Sequence, residues 1–239
     1  MIFKFLKKQI ILDVFTYRKE VLEYFTLERT NKLIPEWYKK TPISENNYFY
    51  PTATLKGCYG IRELFNKGFT IPLWSDLAIN INKEKKSIGY QFADGQSSIE
   101  FHDLDQWKRY ANPLENIHFK IVSPWLIKEK KGVQFLATEF IWHKLIYDFK
   151  ISTGVVNFKQ NHATSINGFF SLKHDSHFVL PAGMPLFHFI PLSEKKVNLK
   201  YHLIDEKEFS QIGNQVNSFF FNSIVKLKKC PFKKYTKKI

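Results

Sequence analysis

The sequence predicts a mainly β protein, built as a β-sandwich or as a compact, barrel-like fold, with a few helices. Aromatic residues make up 17% of the chain, with 24 Phe and 11 Tyr, and such side chains are favoured on the half-buried faces of sheets. Short runs rich in β-branched and aromatic residues recur about every dozen residues, a spacing typical of sandwiches and compact barrels. Helical spacing of apolar residues marks the end of the chain.

The first part of the chain is predicted to combine one strand, one helix and one loop. Residues 9–15 (QIILDVF) are apolar and β-branched, which indicates a strand. Residues 18–33 place Val21, Leu22 and Phe25 at helical spacing. The segment PEWYKKTP (35–42) lies between two prolines, which predicts a loop.

Most of the remaining segments are predicted to be strands. One exception is GIRELFNK (60–67), whose apolar spacing is helical and which Gly68 is placed to end. Pro72 within the extended segment 69–82 indicates an edge strand or a strand broken by a bulge. Residues 123–140 are predicted to form a hairpin with Gly132 in its turn. Further strands are predicted at 87–92, 97–101, 117–122, 149–158, 165–172, 177–180, 181–192 and 197–204.

The domain organisation predicted is one β-rich domain over residues 1–204, followed by a C-terminal helix and a basic tail over residues 205–239. Asp205 or Ser210 is placed to cap this helix. The tail has seven lysines and no acidic residue from position 226 onward, which is half of the net charge of +14. These lysines, the predicted contacts to a polyanion or an acidic partner, are Lys226, Lys228, Lys229, Lys233, Lys234, Lys237 and Lys238. A solvated terminus with no ligand is the alternative interpretation.

Cysteine usage and hydropathy bear on the cellular compartment. Cys58 and Cys230 lie in no metal-ligand spacing, and two cysteines do not indicate a disulfide framework. The N-terminal residues are interrupted by lysines and do not resemble a signal peptide. No apolar run reaches the roughly 18 residues of a membrane span, so a soluble protein that does not cross a membrane is expected.

Histidines are the first candidates for chemistry. His174 and His177 form an H-x-x-H pattern, and His188 follows on the next predicted strand. Cupin-type sites place metal ligands on neighbouring strands, so an iron or zinc site built from these three residues is one hypothesis. The alternative is that they are structural, with His188 pointing into the core because it alternates with Leu186 and Ile190.

Other candidate chemistry is weaker. Asp94, Glu100, Asp103 and Asp105 are close in sequence and could support acid–base chemistry, although such clusters usually belong to solvated loops. Cys58 precedes a predicted helix, whose N-terminus would activate its thiol, and a buried inert thiol is the alternative. The chain lacks the sequence patterns of P-loops, dinucleotide-binding turns and nucleophile elbows.

Two segments carry a family resemblance. They are PWLIKEKKGVQFL (124–136) and the pair STGVVNF (152–158) with HFVLPAGMPLFHFIPLSEK (177–195). Together with PEWYKK and GFTIPLWSD upstream, they resemble an uncharacterised family of tailed phages, especially marine T4-like phages, and of some bacteria. The resemblance implies a place in the virion or the host cytoplasm, with other phage or virion proteins or further copies of this chain as partners.

The same region is similar to the β-clip fold of dUTPases and dCTP deaminases. GVVN (154–157) and AGMPLFHFI (182–190) stand where that family has its catalytic hairpin and a strand near the trimer axis. Asn157 replaces the acid that orients water, and His188 replaces a glutamine. An amide is not a general base, so the resemblance implies architecture rather than dUTPase activity.

Three functions are therefore left open. The preferred hypothesis is a non-enzymatic phage protein that acts as a protein–protein interaction module in the virion or its assembly, without a cofactor. The second is an enzyme, either a metal-dependent cupin-type oxygenase or a dUTPase-like protein. The third is a nucleic-acid-binding module that uses the lysine-rich tail.

Overall fold

The computed structural model describes residues 9–46, 50–140 and 149–214, and it confirms the mainly β class. The first strands are β1 (Ile10–Thr16), β2 (Glu28–Arg29), β3 (Ser44–Asn46), β4 (Pro51–Ala53), β5 (Phe69–Pro72), β6 (Leu77–Asn82), β7 (Ser87–Phe92), β8 (Ile99–Phe101) and β9 (Asn116–Ile121). The later strands are β10 (Leu126–Lys128), β11 (Gln134–Glu139), β12 (Phe149–Ile151), β13 (Gly154–Asn157), β14 (Ile166–Ser171), β15 (Ser176–Leu180), β16 (Pro185–Pro191) and β17 (Val197–Leu203).

The helices are short and lie between strands or after the last one. They are α1 (Lys19–Tyr24), α2 (Glu36–Lys40), α3 (Tyr59–Asn66), α4 (Leu104–Trp107) and α5 (residues 206–214). Two 3₁₀ turns, Thr30–Lys32 and Leu55–Gly57, complete the described elements. Within the described ranges, no helix has both the length and the apolar character needed to cross a bilayer.

The described strands assemble into several sheets. Their orders are β10-β1-β17, β13-β11-β16-β5-β2, β12-β14-β9-β8, β15-β6-β7 and the pair β3-β4. The pairs are antiparallel except for β1 with β17, which run parallel over their whole length. Strand β16 lies between β11 and β5 with nearly every residue buried, which explains its almost continuous apolar sequence.

One large cluster of buried apolar side chains joins four of these sheets. It extends from Ile10 to Val197 along the chain. Its largest fully buried members are Phe69, Phe119, Trp125, Phe135, Phe158, Phe170 and Phe189. Burial of each such side chain contributes about 2 kcal/mol, so this aromatic core makes a large contribution to the stability of the folded chain.

Two predictions for the first part of the chain were wrong. The predicted helix over residues 18–33 ends at Tyr24, because Glu28 and Arg29 pair with β5 and tertiary pairing outweighs local helix propensity. The predicted loop at 35–42 contains helix α2. Pro35 immediately precedes this helix and its fixed backbone angle favours a helix start.

The predicted hairpin over residues 123–140 was also wrong. Strand β10 pairs with β1, whereas β11 pairs with β13 and β16 in another sheet. Gly132 does adopt the left-handed conformation of a turn, with φ of 79°. The buried carboxylate of Glu129 accepts hydrogen bonds from the backbone N–H groups of Gly132 and Val133. A side chain therefore holds this turn, and strand pairing is not needed to form it.

Other boundaries agree with the sequence. Gly68 ends helix α3 in the left-handed conformation, as predicted. The segment 69–82 is interrupted after Pro72, where β5 ends and before β6 begins in another sheet, and the register shift opposite Pro72 lies in β16, between Pro185 and Phe187. Asp205 caps α5, because its Oδ1 accepts from the N–H of Glu208 at 2.8 Å. The seven tail lysines and Cys230 lie outside the described residues.

Candidate functional site

A row of side chains crosses the outer face of the sheet β12-β14-β9-β8. Lys150 of β12 is opposite Phe169 of β14, which is opposite His118 of β9. His102 follows β8, and its backbone N–H donates to the carbonyl of His118 at 3.2 Å. Because successive strand residues alternate between faces, this row lies on the face opposite the core residue Phe170.

The aromatic side chains of this row are stacked. The rings of His102 and His118 lie 4.3 Å apart between centroids, with 21° between their planes. The rings of His118 and Phe169 lie 4.6 Å apart, with 18° between planes. The three nearly parallel rings of His102, His118 and Phe169 form a continuous stack, the ring ladder.

Helix α4 and the turn after it border the ring ladder. The Trp107 ring meets Phe169 edge-on at 5.8 Å, and its Nε1–H donates to the carbonyl of His102 at 3.2 Å. Tyr110 lies 5.4 Å from Phe169 and is 82% exposed. Trp107 is thus a buried support, whereas Tyr110 presents a solvent-accessible ring beside the ladder.

These residues line an open groove of about 850 Å³. This volume lies within the range of small-molecule sites, about 300–1,000 Å³. The lining residues are His102, Gln106, Trp107, Tyr110, Ala111, Asn116, His118, Lys150, Ile151, Ser152, Thr153, Asn167 and Phe169. Lys150 is the one formally charged residue among them when the histidines are neutral, so the groove is aromatic and polar with little net charge.

His102 is held by two amide side chains. Its Nδ1 lies 2.9 Å from Oε1 of Gln106, and its Nε2 lies 3.2 Å from Oδ1 of Asn167. Each ring nitrogen therefore faces an amide oxygen, which accepts, and each amide also carries an NH₂ group, which donates.

His118 provides a neutral surface at the centre of the row. Burial, with a smaller contribution from His102, lowers the pKa of His118 to about 4. Its Nδ1 is buried and has no hydrogen-bond partner among the described residues. The stacked imidazole is consequently uncharged at neutral pH, like the phenyl ring next to it.

Acidification is expected to destabilise the protein between about pH 6.5 and pH 4. Burial lowers the pKa values of His118, His162 and His188, so each stays neutral in the folded chain while the unfolded chain takes up protons. Their contribution to stability is fully present above the ordinary histidine pKa of 6.5 and is lost as the pH falls toward the folded values. Urea denaturation across this range measures the effect.

The variant His118→Gln serves as the control for this pH dependence. This variant lacks one titrating group, so its free energy of unfolding should decrease less steeply on acidification than that of the wild type. Burial raises the pKa of Glu139, so this one carboxyl group favours the folded chain as the pH falls and opposes the three histidines. A free energy of unfolding that stays constant from pH 7 to pH 5 would contradict the expectation.

The three histidines considered as metal ligands lie in different surroundings. His174 is exposed in the turn before β15, and His177 is exposed on β15 opposite Asn80. His188 is buried on β16, as the structural alternative predicted. No group of three or more His, Cys, Asp or Glu in the described ranges is arranged to hold a metal ion. The structure does not bring these three residues together as a site.

His188 has a structural hydrogen-bond arrangement. Its Nε2 lies 2.9 Å from the carbonyl of Lys67 and 2.9 Å from Oγ1 of Thr30. A carbonyl only accepts, so Nε2 carries the proton. Asn157, the other position in the β-clip resemblance, donates from Nδ2 to the carbonyl of Gly132 and accepts at Oδ1 from the N–H of Lys159. Both side chains are used to hold local structure.

The acidic residues near position 100 do not form one cluster of free carboxylates. Asp94 pairs with Arg18, Glu100 with Lys120, and Asp105 with Lys108. Cys58 is exposed at the start of α3, so the alternative of a buried thiol was wrong.

Comparisons with known proteins give no further guide. No family model matches the chain, and neither a curated protein nor a solved structure matches it. The candidate site is therefore identified from its geometry alone.

The ring ladder was not predicted from the sequence. The available signal was alternation: His118, Asn167 and Phe169 fall on the outward positions of their predicted strands. An aromatic residue on a polar face indicates a contact surface. That signal is weak for Phe169, because Phe170 follows it directly and either ring could face the core.

Proposed function

We propose that this protein is a non-enzymatic binding module that holds its partner in the groove over the ring ladder. The observation that carries this proposal is the row of stacked rings, which is flanked by amide and hydroxyl groups. Such a surface provides contact area and orientation for a bound molecule. The enzyme alternatives draw no comparable support from the positions of His174, His177 and His188.

The surroundings of the groove support a contact role. Leu104 of α4, Tyr110 and Leu114 in the segment after it are large apolar side chains that are about half or more exposed. They occur within eleven residues, next to the side chains that line the groove. Exposed apolar residues concentrated in one segment are typical of interaction surfaces.

Ligand-observed NMR with millimolar neutral oligosaccharides, oligonucleotides and aromatic peptides tests the proposal. At least one class should bind the wild type, lose binding to Tyr110→Ala, and be recovered chemically unchanged after incubation. Tyr24→Ala is the matched control, because Tyr24 is 74% exposed and does not line the groove. Binding that survives Tyr110→Ala, or conversion of the ligand, would overturn the proposal.

The setting we propose is the tailed-phage particle or its assembly, which is supported by the sequence resemblance of residues 124–136 and 177–195. Mass spectrometry of purified particles tests it by copy number. A fixed multiple of three, five, six or twelve copies would identify a virion component. Recovery of the protein from infected-cell lysate but not from purified particles would show that it is not a virion component.

Nucleic-acid binding through the tail has a separate signature. The seven tail lysines would make the affinity fall steeply with salt, with a slope near −0.7 per contacted phosphate on single strands. Removal of residues 226–239 should then abolish binding while the groove is unaffected. A flat salt response would exclude this role.

A further inference from the structure

We infer that the molecule held in the groove is a neutral saccharide. This inference rests on the proposed function, because it names the ligand class of the same groove. Three properties of the lining carry it: the exposed aromatic ring of Tyr110, the mixed donor and acceptor groups, and the low charge.

The ring faces suit the apolar side of a sugar ring. A pyranose presents a patch of C–H groups on one face, and these groups pack against the electron-rich face of an aromatic ring. Tyr110 offers such a face, since it is 82% exposed and tilted by 38° from Phe169 beneath it. Trp107 packs edge-on against Phe169, and Phe169 in turn contacts the Tyr110 ring.

The polar groups suit hydroxyls. A sugar hydroxyl both donates and accepts, so its natural partners are amides and hydroxyls that do the same. Beyond Gln106 and Asn167, the groove has Asn116, whose Nδ2 donates to the carbonyl of Asn112 at 3.0 Å while no bond is seen to its Oδ1 among the described residues. Ser152 and Thr153 add hydroxyl groups, of which that of Thr153 also lies 3.0 Å from Oγ1 of Thr138.

The charge pattern disfavours a phosphate-bearing ligand. Nucleic-acid grooves depend on unpaired cations that replace counterions. Here Lys120 pairs with Glu100, Lys108 with Asp105, and Lys173 with Glu115. Lys150 is left as the single formal charge in the lining, and the central imidazole of His118 is neutral. A row of stacked rings with so little charge favours an uncharged ligand.

The experiment is isothermal titration of the full chain with a panel of neutral hexasaccharides: cellohexaose, chitohexaose, maltohexaose and mannohexaose. At least one should bind, and Tyr110→Ala should weaken that binding by about tenfold or more, as expected for loss of about 1.4 kcal/mol of stacking. Tyr110→Phe should keep the affinity within about twofold, because the ring and not the hydroxyl makes the contact. Tyr24→Ala should leave it unchanged.

Two further measurements separate a saccharide from other ligands. An increase in salt from about 0.05 to 0.5 M should change saccharide affinity by less than about twofold, since a neutral ligand carries no charge to be screened. The oligonucleotide (dT)₆ and an aromatic peptide are titrated in parallel. Equal melting temperatures of wild type and variants would show that the surface changes leave the fold intact.

Each outcome decides between the two proposals. Saccharide binding that depends on Tyr110 supports both. Binding of (dT)₆ that is lost on Lys150→Ala, or of the peptide, with no saccharide bound, overturns the saccharide inference while the groove remains the binding site. Binding of none of the three classes overturns the inference and the proposed function together.

Discussion

Replacing Gly68 by alanine is expected to lower the free energy of unfolding by about 4 kcal/mol, or to prevent folding. Gly68 has a φ of 79°, which costs an L-residue about 1–2 kcal/mol. A Cβ at this position would also lie 1.9 Å from the carbonyl oxygen of Phe189. Since Phe189 is a buried backbone position in the central strand β16, neither side of this contact has room to move.

Gly183→Ala is the matched control. Gly183 has a φ of 82°, but a Cβ there meets nothing within 4 Å. It should therefore cost only about 1–2 kcal/mol, the strain of the backbone conformation alone. Urea denaturation of both variants measures the difference. If Gly68→Ala lowered the free energy of unfolding no more than Gly183→Ala, the conclusion that Gly68 lies in close contact with β16 would be wrong.

Replacing Asp94 by alanine is expected to cost about 3 kcal/mol, the second largest effect. The guanidinium of Arg18 is buried and donates to Oδ2 of Asp94 at 2.9 Å and to Oγ of Ser97 at 3.0 Å. Oγ of Ser97 in turn donates to Asp94 at 2.6 Å and accepts from Nε1 of Trp74 at 2.7 Å. The network ties the residues after β1 to the turn between β7 and β8.

The cost arises from an uncompensated charge. Burial by itself would raise the pKa of Asp94, but hydrogen bonds from Ser97 and Arg18 outweigh it and lower the pKa. Without Asp94, the buried Arg18 keeps only the exposed Glu20 as an ionic partner among the described residues.

Arg18→Met is the comparison variant for this network. It removes the buried charge and retains an apolar stem, so it should destabilise the protein less than Asp94→Ala. Chemical denaturation at pH 7 gives both values. A larger loss for Arg18→Met would show that the salt bridge itself, and not the stranded cation, controls the stability of this turn.

The positions of most strands followed from the sequence. Local alternation and β-branched runs predicted strands near 9–15, 117–122, 165–172 and 197–204, and each is present within a residue or two. Helix α3 with Gly68 behind it was predicted equally well. These features depend on residues close together in the chain, and the physical signal for each is complete within one segment.

Helix ends and strand pairings that depend on distant groups were not predictable in this way. The end of α1 is set by the pairing of Glu28 with Thr70, and β10 and β11 pair with strands of two different sheets rather than with each other. In both places the local pattern allowed a different structure, and a contact from elsewhere decided it.

The sequence by itself determined the mainly β class, the aromatic character of the core and the positions of most strands. Only the tertiary structure decided which strands are neighbours, and with that the candidate site. His102, His118, Lys150 and Phe169 come from four strands or their ends and meet because β12, β14, β9 and β8 pair in that order. A period of two encodes a side chain's face but not its partner, so the ring ladder exists only once the chain has folded.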